Sequence, residues 1–73
     1  MDNVNKVEFF LNDKELENLK SVVTELYKSN SVRSESLQEF LKFTVHIILN
    51  EWNSNNQSLK KFYKQNENLF KNL

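Results

Sequence analysis

The chain has 73 residues, ten Lys or Arg against ten Asp or Glu, one His, and no Gly, Pro or Cys. Such a composition excludes disulfides, the Gly-rich phosphate loops and the dinucleotide fingerprint, and it leaves no ligand set for a structural zinc site, which draws on Cys and His. The length allows one domain at most, and a core of this size supplies only ~3–5 kcal/mol, so a partner subunit is the remaining means of stabilisation and a homodimer is expected.

The first residues, MDNVNK, lack a basic stretch followed by an apolar one, so no signal peptide is expected. The longest apolar segment, FLKFTVHIIL, is interrupted by Lys42 and His46 and is too short to span a bilayer. The expectation is a cytoplasmic protein that needs no cofactor and no metal and does not contact a membrane. Charge is uneven along the chain. Residues 1–30 carry four Lys against six Asp or Glu, and residues 54–73 carry four Lys against one Glu.

A strand is expected at about residues 5–11. Val7, Phe9 and Leu11 alternate onto one face, and Lys6, Glu8 and Phe10 onto the other. A lone strand is not stable, and no second candidate follows, so the simplest partner is the same strand of another copy.

Helix A is expected at about 13–28, with Asn12 as N-cap and Glu15 placed to reach back to it. Leu16, Leu19, Val23 and Leu26 form its apolar face. KSNS (28–31) is the break: Asn30 is the residue that tolerates a left-handed conformation, and Ser31 can cap the next helix.

Helix B is expected at about 32–52. Leu37, Phe40, Leu41, Val45, Ile48 and Trp52 form one stripe, while Phe43, Ile47 and Leu49 lie outside it. A helix this apolar around its circumference is buried on more than one side, which a dimer would achieve. With Val7, Phe9 and Leu11 under the ribbon, this stripe makes up the expected dimer core. His46, among these residues, reads as a buried, neutral, hydrogen-bonded side chain rather than a ligand or catalyst. NSNNQ (53–57) reads as a polar break, and helix C follows from about Ser58 to Lys71.

The strand, the immediate helix, the short turn and the more hydrophobic helix are carried by VEFFL (7–11), NDKELENL (12–19) and SVRSE (31–35). Together they resemble the ribbon-helix-helix superfamily of MetJ/Arc-type DNA-binding proteins, over about residues 4–52. The length and the added third helix look like a small ribbon-helix-helix protein of archaeal spindle-shaped viruses, which implies a viral protein in the host cytoplasm. The implied fold is mostly α: an intertwined homodimer with a core at residues 1–53 and an added amphipathic helix at 54–73.

The resemblance implies a transcriptional regulator that binds double-stranded DNA. Two strands pair into a ribbon that enters the major groove, where base edges carry the full hydrogen-bonding code. On the matching positions Lys6, Glu8 and Phe10 face the bases. The start of helix B, at Ser31, Val32, Arg33 and Ser34, grips a backbone phosphate. Lys60, Lys61, Lys64 and Lys71 of helix C add positive charge beside the DNA.

Three features depart from the family pattern. Glu8 would lie near its own copy, Phe10 offers a thymine methyl only an apolar contact, and the turn before helix B lacks Gly. A second reading, from a different class, is an antitoxin-like interaction module that uses the third helix and the ribbon face on a protein partner. No catalytic constellation is visible, and an enzyme is not expected.

Overall fold

The computed structural model describes residues 3–73; Met1 and Asp2, the first residues of the expected 1–53 core, lie outside the described residues. The described residues are mostly helical and form three helices in the order α1 (Asp13–Lys28), α2 (Leu37–Gln65) and α3 (Glu67–Phe70). It divides into two compact units, one ending at Leu37 and the other spanning Gln38–Leu73.

In the first unit, residues 3–11 carry no regular secondary structure. A strand needs a ladder partner, and among the described residues of one copy there is none. The strand expected at 5–11 is therefore not formed: these residues run as an irregular segment into α1.

α1 begins where Asn12 puts it. The Asn12 Oδ1 accepts the Glu15 amide at 2.8 Å, and the Glu15 Oε1 accepts the Asn12 amide at 2.9 Å, so two otherwise orphaned donors are satisfied. Asp13 and Glu15 stand in the first turn and Lys28 in the last, both matched to the helix dipole. Leu16, Leu19 and Leu26 are half-buried, and Val23, at 1 % exposure, is the one fully buried residue among those described.

α1 ends on a left-handed residue, Asn30, with φ 62°. The Ser31 amide donates to the Leu26 carbonyl at 2.8 Å, and the Asn30 amide donates to the Tyr27 carbonyl at 3.1 Å. This is the Schellman arrangement normally closed by Gly; Asn, whose short polar side chain tolerates the left-handed region, replaces it in a chain without Gly.

That closure corrects the expected start of the second helix. Ser31 is spent on ending α1 and does not cap the next helix. Ser34 then takes the Ser36 amide on its Oγ at 3.0 Å, a local turn that competes with helix. α2 starts only at Leu37, five residues later than expected. The sequence Ser36-Leu-Gln-Glu39 spells the S-x-x-E signature of a helix start.

In the second unit α2 runs to Gln65, with one non-helical residue, Asn55 (φ −156°, ψ 80°). The five-residue break expected at 53–57 is therefore a bend at one position. Asn, Ser and Gln are only mediocre helix formers, each ~0.7 kcal/mol or less below Ala, and do not stop a helix by composition alone. Asn55 Oδ1 accepts the Ser58 amide at 3.1 Å, so Asn55, not Ser58, caps the arm beyond the bend. Across it, Lys60 Nζ lies 5.6 Å from the centre of the Trp52 ring, within cation–π range.

The second arm stops at Asn66, whose side-chain amide donates to the Phe62 carbonyl at 2.8 Å. The helix expected at 58–71 is thus split between the end of α2 and the single turn α3, with Lys71 at the C-cap of α3.

Replacing Asn12 by Ala removes the Oδ1 that accepts the Glu15 amide and leaves the bond from the residue 12 backbone amide to Glu15 Oε1 in place. We expect a loss of ~1 kcal/mol, with Asn12→Asp close to wild type. Urea unfolding followed by helical circular dichroism measures both.

Candidate nucleic-acid interface

The ribbon residues sit on the segment before α1. Lys6 Nζ lies 2.7 Å from Glu8 Oε1. A contact between residues two apart fits an extended chain, where i and i+2 share a side. Phe10 is next in that alternation and is 97 % exposed. In the opposite set exposure falls toward the helix, from 86 % at Val7 through 61 % at Phe9 to 37 % at Leu11. The segment is charge-neutral, because Glu8 offsets Lys6. Positive charge for a polyanion has to come from elsewhere.

Ser31, Val32, Arg33 and Ser34 do not open a helix, which corrects the expected phosphate cradle. The Ser31 and Val32 amides both donate to the Leu26 carbonyl, at 2.8 and 3.3 Å. Ser29 Oγ donates to that carbonyl at 3.0 Å and lies 2.8 Å from Ser31 Oγ. These donors face back into the end of α1. The true helix start, at Leu37, carries Glu39 in its first turn and Glu35 two residues before it. Carboxylates at the positive end of a helix dipole favour the helix and repel an anion. Arg33 remains. Its side chain is exposed and makes no ion pair among the described residues.

The four lysines near the C-terminus differ in their commitments. Lys60 lies over Trp52. Lys64 pairs with Glu67 at 2.9 Å. Lys61 and Lys71 are exposed and make no ion pair among the described residues. All four come after Asn55, in the second unit.

Of the expected dimer core, Leu37, Phe40, Leu41 and Ile48 are half-buried, whereas Val45 and Trp52 are about half exposed, as is Phe43 outside the stripe. A single copy leaves this helix uncovered on two flanks.

His46 is exposed, which corrects the expectation of a buried His. It falls on the side of α2 opposite Phe40, Leu41 and Ile48. With Gln38, Glu39, Lys42 and Phe43 it lines a shallow depression of about 480 Å³. All five residues belong to one helix, so the depression is an open face, not an enclosed pocket. No group of three His, Cys, Asp or Glu among the described residues is placed to hold a metal ion. No helix among them is long and apolar enough to cross a membrane.

No family model matches the chain, and it matches no curated protein and no solved structure.

The two ion pairs are highly exposed, and exposed pairs contribute little. Lys6→Ala and Lys64→Ala are each expected to change stability by less than ~0.5 kcal/mol. Urea midpoints compared with wild type measure this, and any larger effect of Lys6→Ala on ligand binding then reports a contact rather than misfolding.

Proposed function

We propose that the protein is a homodimeric DNA-binding protein of ribbon-helix-helix type, and a transcriptional regulator. The observation that carries this reading is the segment 3–11. It leads directly into a capped helix, it is rich in Val and Phe, and it has no ladder partner among the described residues. A second copy supplies that partner as an antiparallel strand. The ribbon then presents Lys6, Glu8 and Phe10 outward, with Phe9 and Leu11 beneath it.

Phe10 contacts thymine methyls, and Glu8 accepts a hydrogen bond from cytosine N4. The phosphate contact passes through the Arg33 guanidinium, a planar fork suited to phosphate oxygens, because the amides of Ser31 and Val32 are already bonded. Lys61 and Lys71 supply further charge.

A second reading is a protein-interaction module. The exposed aromatic and aliphatic side chains of the C-terminal stretch, Phe62, Tyr63, Leu69 and Phe70, favour it. The two readings are separated by titration of duplex DNA at several salt concentrations. Wild type is expected to bind at micromolar concentration or tighter, with affinity falling as salt rises. Each substitution removes two cations from the dimer, one per copy, so the Lys6→Ala and Arg33→Ala variants are each expected to flatten the salt slope by about two. Absence of binding at low salt would remove the DNA reading and leave the module.

A further inference from the structure

The stretch from Leu41 to Leu73 holds one helical register across two breaks. Before the bend, Leu41, Val45, Ile48 and Trp52 stand at spacings of four, three and four. After it, Leu59 and Phe62, then Leu69 and Leu73, continue the same count, with Asn55 and Asn66 filling the two remaining places. Leu49, Tyr63 and Phe70 widen the stripe on one side. The opposite row, from His46 through Asn53, Lys60 and Lys64 to Lys71, keeps the same spacing and contains no apolar residue. An apolar repeat of 3.5 residues is the pattern of a helix that winds around another helix.

In a single copy this register has no use. The bend at Asn55 and the stop at Asn66 interrupt the helix on which the stripe would be continuous. Most of the stripe is exposed: Trp52, Phe62, Leu69 and Leu73 lie between about half and nearly fully open to solvent.

We propose that residues 41–73 are a self-association seam, covered by the same stretch of a second copy. This rests on the homodimer of the proposed function and deepens it, by assigning a partner to the C-terminal stretch. Asn55 and Asn66 are the polar positions of the seam. Such residues fix register and partner number at a cost in stability. The lysine row then lies on the outer face of the paired helices.

The full chain is tested by analytical ultracentrifugation without DNA. Wild type is expected to form a dimer whose association weakens at least tenfold when Phe62→Lys and Leu69→Lys are combined. The control pair Asn50→Lys and Gln57→Lys adds the same charge to the opposite row and is expected to leave association unchanged. Asn66→Leu fills a polar gap in the seam and is expected to tighten association severalfold.

A wild-type monomer at all concentrations would overturn both the seam and the homodimer. A dimer indifferent to the Phe62/Leu69 pair, or equally weakened by the control pair, would overturn the seam and leave the homodimer standing. Should the Phe62/Leu69 variant lose helical circular dichroism, Asn66→Leu decides, and unchanged or weaker association there overturns the seam. DNA binding does not enter any of these outcomes, so failure of the DNA reading is visible separately.

Discussion

Both ends of α1, the bend of α2 and its stop each depend on a side chain that bonds to the backbone or on a residue in an unusual backbone conformation, in a chain that has no Gly or Pro to end a helix passively. Asparagine does most of it. Asn12 opens α1 through a reciprocal pair of bonds. Asn30 closes it in the left-handed region. Asn55 bends α2 and caps its second arm, and Asn66 stops that arm by returning a bond to Phe62. Each amide carries both a donor and an acceptor and is short enough to reach its own backbone. The positions of the chemistry-bearing residues depend on these four. Arg33 stands on a turn because Asn30 ends α1 there, and the lysines lie beyond the bend because Asn55 makes it.

The same helices are short of cover. Only Val23 is fully buried among the described residues, while apolar side chains on the leading segment, on α2 and beyond the bend stay open. Burial of apolar surface is worth about 25 cal/mol per Å², and a chain of this length has little margin once backbone entropy is subtracted. In the proposed dimer, folding and association are one equilibrium, because the surface that stabilises the helices is hidden only when a second copy arrives.

How much of this is legible in the sequence varies with the kind of signal. α1 is legible at both ends, because Asn12-x-x-Glu15 and Asn30 are local chemistry with one sensible use. Reading Ser31 as a cap misplaces the start of α2. That residue already has a task in closing α1, and the S-x-x-E signature at Ser36 is the one that marks the helix. Counting polar residues as breakers overstates the break at 53–57, because only Asn55 leaves the helical region. Judging His46 by its apolar neighbours in sequence buries it wrongly. On a helix, neighbours in sequence point apart, and its own side is shared with Lys42 and Glu39. The alternating pattern of residues 5–11 reads as a strand in the sequence, but with no ladder partner among the described residues the segment carries no regular secondary structure.

Charge ties the two halves of the functional reading together. A neutral chain can bind a polyanion only if its cations are separated from its carboxylates on the binding side. Three of the cations are already engaged: Lys6 with Glu8, Lys64 with Glu67, and Lys60 over Trp52. A phosphate must compete for each, and the gain per contact falls accordingly. Arg33, Lys61 and Lys71 face no such competition among the described residues. Pairing of two copies along the apolar stripe would turn both lysine rows outward and bring two copies of the uncommitted Lys71 onto one assembly. Electrostatic affinity for a polyanion would then be a property of the dimer, and dilution below the dimer dissociation constant would weaken it together with the fold.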